Sequence, residues 1–185
     1  MHAGRLYVFG GGGGALGKNV TDELCSFGVR TGAKESGWTR VRCRCAHGRG
    51  PSARSECSAV VVPGSEKAYI FGGQSGPDSI RNALSSQRRD TFDDTWSLDL
   101  KTWTWFRLPT HPGRGADGCF PPARRGHSAV ATPEGLMVIF GGTGLERSFA
   151  CESYFNCTWG LDIGSGAWCQ ASEKPSRRPS PRAYH

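Results

Sequence analysis

The chain has 185 residues, a hydrophobic fraction of 37% and a formal net charge of +7. It contains no run of about 18 apolar residues, which excludes a membrane-spanning helix. Its 27 glycines disfavour long helices, because glycine weakens a helix interior, and suit many short strands joined by turns.

The first residues, Met1 to Phe9, enter a strand at once and offer no apolar signal-peptide core. That favours an intracellular location, cytoplasmic or nuclear, and free thiols for the eight cysteines. Tyr7-Val8-Phe9-Gly10-Gly11 ends this strand. Next, Gly12-Gly13-Gly14-Ala15-Leu16-Gly17-Lys18-Asn19 nearly matches a phosphate-binding loop. It lacks the Ser or Thr after the lysine that would reach magnesium, and the helix whose N–H groups would face phosphate. An inter-strand loop is expected there instead. Asp22 to Val29 then forms a strand and Trp38 closes the unit.

Cys43, Cys45 and His47 crowd three metal-ligand types, but no second pair at zinc-finger spacing answers them, so packing roles are expected. Ser58-Ala59-Val60-Val61-Val62, the turn Pro63-Gly64, and Tyr69-Ile70-Phe71-Gly72-Gly73 open a second and fuller unit. After a polar insert come Asp93-Asp94-Thr95-Trp96-Ser97-Leu98-Asp99-Leu100 and, past the turn Lys101-Thr102, the closing strand with Trp105. The third unit repeats this order. Gly126-His127-Ser128-Ala129-Val130-Ala131-Thr132 matches the stretch from Glu56, with His127 where unit two has Cys57. Val138-Ile139-Phe140-Gly141-Gly142, Asn156 to Ile163 with Trp159, and Trp168 complete it. Pro181-Arg182-Ala183-Tyr184-His185 reads as the opening of another first strand. Asn19-Val20-Thr21 and Asn156-Cys157-Thr158 match the glycosylation acceptor, and without a secretory signal they are expected to be unmodified.

Three ordered copies of several matched elements decide the fold class. The glycine pairs Gly10-Gly11, Gly72-Gly73 and Gly141-Gly142, with Trp96, Trp159, Asp99, Asp162 and the closing Trp38, Trp105 and Trp168, resemble the Kelch-repeat β-propeller family. Unit one departs most, with Cys25 for the aromatic and Gly28 for the aspartate. The resemblance implies an all-β, open, partial propeller of two and a half to three four-stranded antiparallel blades, with twelve strands at most. The expected layout is residues 5–42 as an incomplete blade one lacking its first strand, 54–108 as blade two, 122–170 as blade three and 179–185 as the start of a further blade. Kelch propellers close with six or seven blades, so a fragment of a longer propeller is expected.

In such a blade the loop between strands two and three shares a face with the link to the next blade. The links are basic: Arg42, Arg44, Arg49 and Arg54 in one; Arg107, Arg114, Arg124 and Arg125 in another; Lys174, Arg177, Arg178 and Arg182 in the last. Arg81, Arg88 and Arg89 in the long loop of unit two join them. Arginine supplies planar bidentate contacts to carboxylates and phosphates. The expected partner-binding set is therefore Arg81, Arg88, Arg89, Arg114, Arg124, Arg125, Arg177 and Arg178, facing an acidic or phosphorylated protein segment. No helix-turn-helix, zinc-finger or aromatic RNA-binding signature accompanies the charge, so specific nucleic-acid binding is not expected.

The function expected from the resemblance is a non-enzymatic protein-interaction scaffold without a cofactor. The alternative it implies is a metal-dependent Kelch-propeller enzyme, of oxidase or specifier type, with its ligands mostly in blades outside this sequence. No catalytic or metal-binding residue is assigned here.

Overall fold

The computed structural model describes residues 4–13, 19–28, 37–76, 90–113, 120–145, 152–172 and 178–185. Every element among them is a strand. The first sheet joins β1 (Arg5–Phe9), β4 (Leu24–Gly28) and β5 (Trp38–Val41) in that order, all antiparallel. β2 (Gly12–Gly13) and β3 (Asn19–Val20) form a small hairpin in the loop between β1 and β4. The phosphate-loop-like run therefore leads from one strand into another; residues 14–18 lie outside the described residues.

The second sheet contains β7 (Ser58–Val61), β8 (Lys67–Phe71), β9 (Thr95–Asp99) and β10 (Thr104–Arg107). The third contains β12 (Ser128–Ala131), β13 (Leu136–Phe140), β16 (Thr158–Asp162) and β17 (Ala167–Gln170). β14 (Thr143–Leu145) and β15 (Glu152–Tyr154) form a hairpin in the loop between β13 and β16. Strands two and three pair within each unit and in one register: Phe9 faces Leu24, Phe71 faces Thr95 and Phe140 faces Thr158. The sheets are not closed into a ring.

One expectation is corrected. The second and third blades have five strands, not four, because β6 (Arg44–Cys45) runs parallel to β10 and β11 (His111–Pro112) runs parallel to β17. The short hairpins add further, giving seventeen strands among the described residues against the twelve expected. The cause is edge protection. The fourth strand of a blade would otherwise expose a row of backbone groups, and the incoming link caps it through Arg44 N–H to Trp103 O (2.8 Å) and Ala46 N–H to Trp105 O (3.0 Å).

The core lies between blades. Leu24 of the first sheet packs with Ile70, Leu98, Leu100 and Trp105 of the second, with Tyr7, Phe9 and Val41 against them. Val60, Tyr69 and Phe71 of the second meet Met137, Ile139, Leu161 and Trp168 of the third. The phenylalanines before the first two glycine pairs touch the closing tryptophan of the following blade: ring centroids are 5.0 Å apart for both Phe9–Trp105 and Phe71–Trp168. Trp38, in the first sheet, stays 58% exposed.

Candidate functional site

The links repeat one spacing, a proline followed three residues later by arginine: Pro51 and Arg54, Pro121 and Arg124, Pro179 and Arg182. Arg54 and Arg124 each span two blades. The backbone of Arg54 joins the first sheet, accepting from Gly11 N–H (2.9 Å) and donating to Thr21 O (3.2 Å). Its side chain enters the second, donating to Gly72 O (3.0 Å) and holding Asp94 at 2.6 and 3.0 Å, with the guanidinium 4.3 Å above the Phe92 ring. Arg124 does the same one blade on. Its carbonyl accepts from Gly73 N–H (2.9 Å), and its side chain reaches Gly141 O (2.9 Å) over Phe155 (4.6 Å). The glycine pairs exist for this contact. Gly72 has φ +66°, and a Cβ there would lie 2.5 Å from Arg124 O; at Gly141 it would lie 2.6 Å from Arg182 O. Only glycine accepts both that dihedral and that approach.

Arg124 is therefore withdrawn from the partner-binding set. Its side chain is fully buried, and its donors are committed to Pro122 O, Gly141 O and Cys157 Sγ. Arg54 is buried in the same way. The sidedness of the basic links is also narrower than expected, since Arg44 pairs with the turn joining strands three and four, at the other end of the blade. Arg178 is half-buried, and Arg81, Arg88, Arg89, Arg114 and Arg177 lie outside the described residues.

Arg125 remains, and the structure surrounds it with groups the sequence did not single out. Two residues after each link arginine the backbone turns left-handed: Glu56 at φ 60°, Gly126 at 61° and Tyr184 at 58°. These three positions bond in series across blades, Gly126 N–H to Glu56 O (3.0 Å) and Tyr184 N–H to Gly126 O (2.8 Å). The series brings side chains from three links together. Arg125 Nη1 donates to Glu56 Oε2 (2.9 Å) and to the Tyr184 hydroxyl; Tyr184 donates to the same Glu56 oxygen (2.9 Å), and Gln74 Nε2 holds Oε1 (2.8 Å). The Arg125 and Glu56 side chains are 20% and 30% exposed, so this charged cluster reaches solvent. It sits at the base of the loop between strands two and three, where Ser55 bridges Gln74. The recurrence of the second position after Pro-x-x-Arg was the signal available for it.

Below the cluster the inner strands are sealed by histidines. Ser58 Oγ and His127 Nε2 share a hydrogen bond of 2.7 Å, and Ser128 Oγ and His185 Nε2 one of 3.0 Å. His127 stands edge-on to Phe71 and His185 edge-on to Phe140, centroids 5.5 Å apart in both. Burial, then the charge of Arg124, pushes the His127 imidazole down to about 3. It is a neutral packing group, as its counterpart Cys57 suggested. Among the described residues no three His, Cys, Asp or Glu side chains are grouped to hold a metal ion, and Cys25, Cys43, Cys45, Cys57 and Cys157 are free thiols.

Residues 1–185 match the KLHDC2/KLHL20/DRC7 Kelch-repeats domain from end to end. The chain belongs to the Kelch-repeat family. Among curated Kelch relatives, the leucine-zipper-like transcriptional regulator 1 homolog of Drosophila melanogaster is 28% identical over 176 residues, covering 95% of this chain and 15% of that protein. Human host cell factor 2 is 30% identical over 152 residues, 73% of this chain and 17% of that protein. This Kelch chain thus spans under a fifth of the length of either. The solved structure of YjhT shares the fold with a TM-score of 0.54 at 17% identity, covering 83% of this chain and 46% of that one.

Proposed function

We propose that this Kelch domain is a protein-interaction module whose docking point is the Arg125–Glu56–Tyr184–Gln74 cluster, and that its partner is an acidic or phosphorylated protein segment. The supporting observation is the Arg125–Glu56 ion pair of 2.9 Å in a partly exposed setting. Arg125 is held extended and oriented by Tyr184 and Glu56. A carboxylate or phosphate on a partner competes with Glu56 for the guanidinium and gains a charge-assisted contact with little ordering cost. The further basic residues Arg81, Arg88, Arg89, Arg114, Arg177 and Arg178 belong to the same proposal as added positive charge that accelerates encounter. The scaffold reading needs no catalytic group or cofactor.

The test is a binding series with acidic and phosphorylated peptides at two salt concentrations. Arg125→Glu weakens binding by about tenfold or more, as expected for loss of a hydrogen bond to a charged group. Glu56→Gln removes the internal competitor and tightens it. Binding that ignores both substitutions and the salt overturns the proposal.

A further inference from the structure

Blades two and three differ at one position beneath the link arginine. In blade two, Asp94 answers the buried charge of Arg54 and also accepts from the Trp96 indole N–H (2.7 Å). In blade three the register places Cys157 where Asp94 stands and Trp159 where Trp96 stands. Arg124 is fully buried, its Nη2 donates to Cys157 Sγ at 3.5 Å, and among the described residues no carboxylate pairs with it. The Trp159 indole N–H, on a side chain only 3% exposed, has no acceptor among the described residues. One blade therefore satisfies a buried cation and a buried N–H with a carboxylate. The other gives the cation a thiol and leaves the N–H without an acceptor among the described residues.

We infer that Cys157 is an oxidation site, at which a hydroperoxide converts the thiol to a sulfenate and then a sulfinate that takes the role of Asp94 toward Arg124 and Trp159. The Arg124 guanidinium, 3.5 Å from the sulfur, stabilises the negative charge of the sulfenate and sulfinate that form there. Cys157 is only partly buried, so a small peroxide reaches it. The thiol proton passes to solvent and the sulfur attacks one peroxide oxygen. An S–O bond forms, the O–O bond breaks, and the departing hydroxide or alkoxide takes up a proton; sulfur loses two electrons and the peroxide gains them. A second equivalent repeats the step, placing two oxygens on one sulfur, as a carboxylate places two on one carbon. The second oxygen offers Trp159 its missing acceptor.

Treating the full chain with hydrogen peroxide and mapping oxygen addition by peptide mass spectrometry tests this. Cys169 serves as the internal reference, being an exposed thiol. Cys157 is expected to oxidise about tenfold faster than Cys169, and Arg124→Met to abolish the difference. Should Arg124→Met fail to fold, Cys157→Asp and Cys157→Ser decide the matter. The aspartate raises the thermal midpoint by about 2–4 °C over the serine, and peroxide shifts the midpoint of the native chain but of neither variant. Oxidation of Cys157 no faster than that of Cys169, or an aspartate variant no more stable than the serine, overturns the inference.

Discussion

At the residue scale, His127 shows how a titratable group becomes an acid-sensitive part of the packing. It is 7% exposed, bonded to Ser58 and pressed edge-on against Phe71. Burial holds its folded pKa near 3, below the ordinary 6.5. A depressed pKa means the unfolded chain binds the proton more readily. The stability due to neutral His127 is therefore complete above pH 6.5 and is lost as pH falls from 6.5 toward 3. Urea titrations of the native chain against His127→Phe, stepped through that window, are expected to show a pH dependence that is shallower in the variant. Identical slopes would show that His127 carries no linkage.

At the scale of elements, the glycine pairs both end their own strand and receive the link to the neighbouring blade. Gly72→Ala forces a left-handed residue to carry a Cβ 2.5 Å from Arg124 O, whereas Gly64, at φ +74°, has nothing within 4 Å. Both substitutions incur the dihedral cost of about 1 kcal/mol, but only Gly72→Ala must also displace backbone, for about 2–4 kcal/mol in all. Chemical denaturation of the two variants separates these terms.

The strands were legible because alternation and turn pairs are local: Ser58 to Val62, Pro63-Gly64 and Tyr69 to Phe71 each declare themselves. The fifth strands were not. Arg44–Cys45 and His111–Pro112 are two residues each, too short for a period, and their partners lie about sixty residues away. The site was half legible for a similar reason. Arg124 and Arg125 are adjacent and chemically identical, and only the side-chain direction, inward for one and outward for the other, divides the buried link from the partly exposed cluster. Glu56 and Tyr184 join Arg125 through a contact spanning 128 residues of sequence, which no short window contains.

At the scale of the molecule, cohesion is a property of blade pairs. A double-mutant cycle on Phe71 and Trp168, whose centroids are 5.0 Å apart, is expected to return a coupling of about 0.5–1.5 kcal/mol. Trp38→Ala, at a ring already 58% exposed, is expected to change stability far less than Trp168→Ala. Equal losses at the two tryptophans would contradict a core built between blades. Stability then adds through nearest-neighbour interfaces, as in other repeat architectures.

The arginine that spans two blades also sets the true unit of inheritance in this chain. Sheet boundaries fall at the strands, but the backbone of Arg54 belongs to one sheet and its side chain to the next. A blade transplanted at its strand ends would arrive with its own glycine pair facing a foreign arginine, and its own arginine facing a foreign anion. The exchangeable module runs instead from one Pro-x-x-Arg link through the following Gly-Gly pair and the residue beneath the guanidinium. Exchange of such repeats has to move those three together, and Cys157 in place of Asp94 shows that one member of the set differs between blades two and three.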